Sequence, residues 1–271
     1  MRIIMACGAE GLLEYRSAWR KLPCPLPCPT LLSPRSGVPV VADENRHLLW
    51  TGASVVPVDS GLEALTLWQN RVLTLSGDTD CLTMLDLATG QPQMLTPAGM
   101  YPQDLCFVGA NLVAVCGGVD GTIRLIRLSD LQTVHEFHLP GATQRVTYSM
   151  GELTALCLVG DDGMQCQMCR IRLPGGATQR ICTMPGLPGA LCPDGRGGVW
   201  MAVSERLAHF PRGEAAPDVL IPDFGLIRHM SRLGGSVLAS DPVMGQCALV
   251  SANGRKQVLY EGDVQQAVFA E

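Results

Sequence analysis

Lysine is scarce in this sequence, and so is charge of either sign. Among 271 residues, lysine occurs only at Lys21 and Lys256, and charged residues together make up 17%. The formal net charge is −5. A protein that binds nucleic acid neutralises phosphates with clustered lysine and arginine. The composition therefore predicts no nucleic-acid partner.

Long apolar runs are also missing. No uninterrupted run approaches the roughly 20 apolar residues that a helix needs to cross a bilayer, so no membrane partner is predicted. The first residues, MRIIMACGAEG, contain only a short apolar stretch before Gly8 and are patterned like a strand, which differs from a signal peptide. We therefore expect a cytoplasmic protein.

Sequence motifs for common cofactors and nucleophiles are absent. There is no G-x-x-x-x-G-K and no dinucleotide fingerprint, so no cofactor is predicted. The HEFH at 135–138 is too short to be a zincin motif and reads as an outer strand. His47, His209 and His229 are isolated in sequence, and no nucleophile elbow accompanies them, so no triad is predicted.

What the sequence does contain is a repeat of about 40 residues. The clearest copies start at Ala64 and Asp104, and each reads as four short strands separated by turns rich in Gly and Asp. Repeats of this length with four strands predict an all-β fold, the β-propeller. Closed all-β folds of this length form one domain, so residues 1–271 are predicted to be a single propeller domain.

Seven blades can be placed along the chain. Blades 3 to 7 are predicted at about Leu62 to Pro97, Tyr101 to Pro140, Thr143 to Met184, Leu187 to Asp223 and Gly225 to Asp263. Blade 2 must lie within the proline-rich stretch from Trp19 to Val58. If that stretch does not form a full blade, the ring has six.

Both ends of the chain are predicted to share blade 1. Arg2 to Cys7 reads as its second strand and Leu12 to Arg16 as its third, so the inner strand is missing. Val264 to Glu271 supplies it most economically. Such pairing closes the ring and leaves no open sheet edge.

Two segments carry a family resemblance. Asp86-Leu87-Ala88-Thr89-Gly90 ends a third strand and Tyr101-Pro102-Gln103-Asp104-Leu105 opens an inner strand. This pattern, from Leu62 to about Gly262, resembles the YVTN/YncE-like (lactonase-type) seven-bladed β-propeller family. The Trp-Asp and Gly-His signatures of WD40 repeats are absent. The resemblance implies a seven-bladed β-propeller fold. Proteins with this resemblance include binding proteins, scaffolds, surface proteins and some enzymes.

Aligned repeats nominate residues at the mouth of the central channel. Five blades place a polar residue at one position, namely Glu63, Gln103, Gln144, Arg228 and Gln265. Their neighbours are Asp104, Arg145, His229 and Gln266. Such a ring could hold a small polar ligand or the side chains of a protein partner. The alternative is that these residues form a solvated rim.

A second ring is acidic and falls in the turns between the second and third strands. Its members are Asp43, Glu44, Asp78, Asp80, Asp120, Asp161, Asp162, Glu205 and Asp241. Carboxylates on one face could bind a hard cation or attract a basic partner. Turns also favour Asp because its side chain hydrogen-bonds the local backbone. The turn explanation is preferred for each single Asp.

Twelve cysteines fall mostly inside apolar strands, which favours reduced thiols that act as small hydrophobic residues. Cys166 and Cys169 form a C-x-x-C, and Cys24 and Cys28 a C-x-x-x-C, a pattern that also occurs in zinc sites. Residues three apart in a strand point to opposite faces. No metal site is therefore predicted.

Three functional hypotheses follow. The first is a non-enzymatic propeller that binds a ligand or a protein at the channel mouth. The second, which the family resemblance implies, is a lactonase-like hydrolase with a polar or metal-assisted site at the channel top. Its candidate catalytic residues are Glu63, Asp104, Arg145 and His229. The third is a structural scaffold, which would show a large exposed apolar patch.

Overall fold

A computed structural model describes residues 1–35, 38–160 and 164–270 of the chain. These residues form 28 β-strands, numbered here in chain order, and two short 3-10 helices at Gly8–Glu10 and Glu44–Arg46. The strands make seven four-stranded antiparallel sheets in a ring, which is a seven-bladed β-propeller. The predicted fold is confirmed with seven blades, and the six-bladed alternative is wrong.

Blade 1 is built from both ends of the chain. From the channel outward its strands are β28 (Gln266–Ala270), β1 (Arg2–Cys7), β2 (Gly11–Tyr15) and β3 (Trp19–Leu22). β28 pairs antiparallel with β1, and Ile4 lies opposite Val268. The predicted pairing of the chain ends is confirmed. Glu271, which the predicted closing segment included, lies outside the described residues.

Blade 2 is complete despite its proline-rich sequence. Its strands are β4 (Leu31–Ser33), β5 (Val40–Asp43), β6 (Leu48–Trp50) and β7 (Val55–Pro57). Much of the proline lies in the connection at 23–30 between β3 and β4, outside the ladders. Pro57 ends the outer strand, where a residue without an N–H group costs no ladder hydrogen bond.

The other five blades follow the predicted boundaries to within a few residues. Blade 3 contains β8 (Leu62–Trp68), β9 (Arg71–Ser76), β10 (Cys81–Asp86) and β11 (Pro92–Pro97). Blade 4 contains β12 (Asp104–Phe107), β13 (Leu112–Cys116), β14 (Thr122–Arg127) and β15 (Gln132–His138), so HEFH lies in an outer strand as predicted. Blade 5 contains β16 (Ala142–Ser149), β17 (Glu152–Val159), β18 (Gln165–Arg172) and β19 (Thr178–Pro185).

Blades 6 and 7 complete the ring. Blade 6 contains β20 (Pro188–Pro193), β21 (Val199–Val203), β22 (Arg206–Phe210) and β23 (Val219–Ile221). Blade 7 contains β24 (His229–Leu233), β25 (Ser236–Asp241), β26 (Gln246–Val250) and β27 (Lys256–Glu261). In each of these blades the first strand is innermost and contacts the inner strands of both neighbours.

The hydrophobic core is divided into clusters that lie between neighbouring blades. Ile4 of blade 1 packs with Leu32 of blade 2, and Leu156 of blade 5 packs with Val203 of blade 6. Seven cysteines are buried, and five of them lie in these clusters, where a small apolar side chain fits between two sheets. Because each blade shares its apolar faces with two others, the ring is held by packing along its whole circumference. In the described part of the chain, no helix is long and apolar enough to cross a membrane.

Candidate functional site

The inner strands converge on a polar cavity in the central channel. The cavity has a volume of about 250 Å³. Polar and charged residues of blades 1, 3, 4, 5 and 7 in its wall include Glu63, Gln103, Asp104, Arg145, Arg228, His229 and Gln266. Blades 2 and 6 contribute apolar Leu31, Ala190 and Leu191. The fold thus brings together most of the residues that the repeat alignment predicted to lie at the channel mouth.

Gln144 and Gln265 lie outside the wall of this cavity. Gln144 sits at an irregularity in the pairing of β16 with β17, and its carbonyl accepts a hydrogen bond from Arg145 Nη1 at 2.7 Å. The amide of Gln265 donates to Asp263 Oδ1 at 2.6 Å on the exposed rim. A shift of one residue along an inner strand decides which side chain faces the channel, and Gln266 takes that place in blade 1.

Asp104 joins two blades through its carboxylate. Oδ1 accepts a hydrogen bond from its neighbour's N–H, that of Leu105, at 2.9 Å. Oδ2 accepts one from the N–H of Val146 in blade 5 at 3.0 Å. Burial raises the pKa of Asp104, although the charge of Arg145 and these two hydrogen bonds favour the anion. Asp104 therefore has a structural role at the channel wall.

Glu63 and His229 of the cavity wall are both displaced toward their neutral forms. Burial raises the pKa of Glu63, while the charges of Arg145 and Arg228 act in the opposite direction. Burial and the same two arginines lower the pKa of His229 to about 3. The imidazole is therefore neutral at physiological pH, and the fixed positive charge of the cavity comes from the two guanidinium groups.

The four candidate residues for hydrolysis are not joined by hydrogen bonds or ion pairs among the described residues. Within residues 1–35, 38–160 and 164–270, no hydrogen bond or ion pair joins the side chains of Glu63, Asp104, Arg145 and His229 to one another. Nor do three or more His, Cys, Asp or Glu side chains of the described residues come together in a group that could hold a metal ion. Acid–base catalysis needs groups within hydrogen-bond reach of a common reacting atom.

The two cysteine pairs are separated by the fold. Cys166 and Cys169 both lie in β18, where Cys166 packs into the layer between blades 5 and 6. The thiol of Cys169 instead lies near the thiol of Cys157 in the neighbouring strand β17. Cys28 Sγ accepts a long hydrogen bond of 3.9 Å from the Asn45 amide.

The acidic residues of the mouth organise the turns in which they lie. Asp241 is fully buried, and its carboxylate accepts four backbone N–H groups, those of Gly225, Leu226, Val243 and Met244, at 2.6 to 3.2 Å. These contacts fix the turn between β25 and β26. They also tie it to the loop that leads into blade 7.

Asp43 and Asp120 act in the same way. Asp43 is buried and accepts the N–H groups of Cys28 and Arg46, both at 3.1 Å. Asp120 accepts the N–H of Met100 at 3.2 Å. For these carboxylates the structure supports the turn explanation. Asp161 and Asp162 lie outside the described residues.

Exposed apolar side chains surround the channel mouth, a feature that the sequence analysis missed. They lie in the loops that enter the inner strands and in the turns between second and third strands. These mouth residues are Met100, Tyr101, Val119, Met164, Leu187, Val243 and Met244. Their sequence signal is weak, because they occur singly or in adjacent pairs beside the Gly, Pro or Asp of a turn.

Tyr101 is held in an unusual conformation at this mouth. Its φ is +55°, its side chain is 45% exposed, and its N–H donates to Asp80 Oδ1 at 2.6 Å. The loop is pinned because the N–H of Val119 donates to the carbonyl of Met100 at 2.9 Å. A Cβ on Gly118 would lie 1.9 Å from the Tyr101 carbonyl oxygen, so only glycine fits there. Positive φ at a bulky residue costs free energy.

Comparison with models of known protein families gives no match, and comparison with curated proteins gives none either. Solved structures share the fold. The computationally designed Ika8 protein has a TM-score of 0.67 at 16% identity, over 98% of this chain and 86% of its own. BamB from Moraxella catarrhalis has a TM-score of 0.61 at 15% identity, over 98% and 84%. The Pan2 WD40 domain of Neurospora crassa has a TM-score of 0.64 at 10% identity, over 86% and 79%. At these identities the likeness shows the β-propeller fold alone.

Proposed function

We propose that this protein is a non-enzymatic binding protein that holds a segment of a partner protein on its channel-mouth face. The observation that carries the proposal is the set of exposed mouth residues around the polar cavity, from Met100 to Met244. Apolar side chains around a polar centre are typical of interaction sites, because their contact with a partner removes them from water.

The loop geometry supports this proposal. Tyr101 and the pair Val243 and Met244 are presented by turns that Asp80 and Asp241 hold in place, so little conformational entropy is lost when a partner binds. The rest of the described exposed apolar residues are spread over the outer strands and the opposite face, as Leu95 and Leu233 illustrate.

The cavity adds a chemical preference for the partner segment. The guanidinium of Arg228 has no hydrogen-bond partner among the described residues, and His229 is neutral. An acidic or amide side chain of the partner that enters the cavity would pair with Arg228 in a site of low dielectric. The proposed partner segment therefore has apolar side chains that flank one polar or acidic side chain.

Site-specific photo-crosslinking tests the proposal in an extract of the native cell. A photoreactive residue replaces Val119 or Met244 at the mouth, and Val134 on an outer strand or Leu233 on the opposite face serves as the control position. We expect one discrete adduct from the mouth positions and none from the controls. Equal crosslinking at all four positions, or none at the mouth, would contradict the proposal.

Family membership and cellular location belong to the same proposal. The segments at 86–90 and 101–105 support a YVTN/YncE-like propeller. Twelve free thiols, seven of them buried, support a reducing compartment such as the cytoplasm. The single-domain organisation over residues 1–271 is proposed on the closed ring. A lactonase-like hydrolase is the less favoured function, because no hydrogen bond or ion pair joins the side chains of its four candidate residues in the described part of the chain.

A further inference from the structure

A second cleft opens between blades 6 and 7, on the face opposite the channel mouth. Its volume is about 260 Å³. Its walls come from the turn between β20 and β21, from the ends of β22 and β24, and from the loop after β26. The channel-mouth proposal makes no use of this cleft.

Three arginines from three separate segments line the cleft, namely Arg196, Arg212 and Arg232. Among the described residues, the guanidinium groups of Arg196 and Arg212 have no hydrogen-bond or ion-pair partner. Arg232 Nη1 donates to the carbonyls of Asp194 and Gly234 at 3.3 and 3.2 Å, which fixes one side of that guanidinium. Its other donors remain available to a ligand.

Glycines allow two of these arginines to lie directly on the turn between β20 and β21. A Cβ on Gly195 would come within 2.2 Å of Arg232 Nη1, and a Cβ on Gly197 within 2.7 Å of Arg212 Cδ. Both glycines also have positive φ. The turn therefore has the shape that brings two guanidinium groups of different segments to one cleft.

The two carboxylates at this cleft, those of Asp194 and Asp218, both face His209. His209 lies between Asp194 Oδ2 at 3.1 Å and Asp218 Oδ1 at 2.7 Å, and its ring packs 4.8 Å from that of Trp200. The three guanidinium groups outnumber these two carboxylates, so the cleft has a positive balance in a protein of net charge −5.

We infer that this cleft binds a small multivalent oxyanion, of the kind presented by a phosphate or diphosphate group. Planar guanidinium groups match phosphate oxygens with paired, charge-assisted hydrogen bonds. Three guanidinium groups around one cleft favour a ligand with more than one negative charge, such as a diphosphate, over a ligand with a single carboxylate. Trp200 and His209 give the cleft a partly apolar base for the organic part of such a ligand.

The oxyanion could belong to a free small molecule or to a phosphorylated side chain of a protein. Pyrophosphate and a phosphoserine peptide are therefore both used as probes. Tighter binding of pyrophosphate supports a small-molecule source, and tighter binding of the peptide supports a protein source. Either result supports an oxyanion site.

Isothermal titration calorimetry of the whole protein with pyrophosphate tests the inference. The variant Arg196→Gln/Arg212→Gln removes the two unpartnered guanidinium groups. Arg206→Gln is the matched control, because Arg206 is an exposed arginine of the same blade that lies toward the mouth face. Circular dichroism shows whether each variant is folded.

The wild type and the Arg206→Gln control should bind pyrophosphate alike. The double variant should bind at least tenfold more weakly, since each lost charge-assisted contact lowers affinity by a large factor. Absence of pyrophosphate and peptide binding at millimolar concentration would overturn the inference. So would equal affinity in the wild type and the folded double variant. None of these outcomes depends on the channel mouth, so failure here leaves the proposed function standing.

Discussion

The side-chain oxygen of Gln266 accepts a hydrogen bond from the backbone N–H of Leu32 at 2.7 Å. This contact joins the inner strand of blade 1 to the inner strand of blade 2, and the contact of Asp104 with Val146 joins blades 4 and 5 in the same way. Polar residues of the channel wall therefore connect neighbouring blades, in addition to facing the cavity.

Gln266→Ala should lower the free energy of unfolding by about 1–2 kcal/mol, because the N–H of Leu32 loses its acceptor in a partly buried site. Gln265→Ala is the matched control, since that side chain bonds only to Asp263 on the exposed rim. Urea denaturation measures both variants. Equal stability of the two would show that the contact between blades contributes nothing.

Glu14 should stabilise the protein in a pH-dependent manner. Its side chain is 1% exposed and is held by Arg2, Arg16 and Arg20. Burial raises the pKa of Glu14, but the contacts with the three arginines outweigh burial and lower the pKa to about 2. The pKa in the unfolded chain is about 4.3. The stabilisation is therefore fully present above that value and is lost as the pH falls toward 2.

The matching variant is Glu14→Gln. Three flexible arginine side chains, two of them exposed, cover the carboxylate, so solvent reduces the effect to about 1–2 kcal/mol at pH 6. Guanidinium denaturation at pH 6, 4 and 2.5 should show the difference from wild type shrinking with the pH. A constant difference would assign the effect to packing.

His229 should destabilise the protein in mild acid. Its pKa is about 3 in the folded state and about 6.5 in an unfolded chain, so the unfolded state binds the extra proton between these values. Stability should fall below pH 6.5, by up to about 1.4 kcal/mol per pH unit. His229→Gln should lose less stability between pH 7 and 5. An imidazolium signal from His229 of the folded protein in NMR spectra at pH 5 would contradict this prediction.

Replacing Tyr101 by glycine should destabilise the protein less than replacing it by alanine. Its φ of +55° is open to glycine, whereas alanine keeps the steric cost. Tyr101→Gly should be more stable than Tyr101→Ala by about 1 kcal/mol in thermal unfolding. Both variants lose the aromatic ring, so binding at the mouth should weaken in each. The reverse order of stability would remove the argument for backbone strain at this residue.

The repeat made the architecture predictable from sequence. Strand periodicity with Gly and Asp turns located blades 3 to 7, and the lone second and third strands at the N-terminus required a partner from residues 264–271. Blade 2 was harder, because short strands such as Leu31–Ser33 leave little periodicity beside the proline-rich connection.

The site was predictable only in part. Inner-strand alignment placed Glu63 and Arg228 at the cavity, but the irregular pairing around Gln144 and the turn of Gln265 onto Asp263 depend on local backbone geometry that spacing does not encode. The cleft near His209 is lined by residues from two blades, so no motif within a single segment predicts it.

The central claim is that the channel-mouth face is the binding surface. Val243 at the mouth and Leu95 on an outer strand are 67% and 66% exposed, which makes Val243→Asp and Leu95→Asp a matched pair. The affinity of each variant for the partner captured by crosslinking is the most direct test. The account predicts at least tenfold weaker binding for Val243→Asp and wild-type binding for Leu95→Asp. Wild-type affinity in Val243→Asp, or an equal loss in both variants, would contradict it.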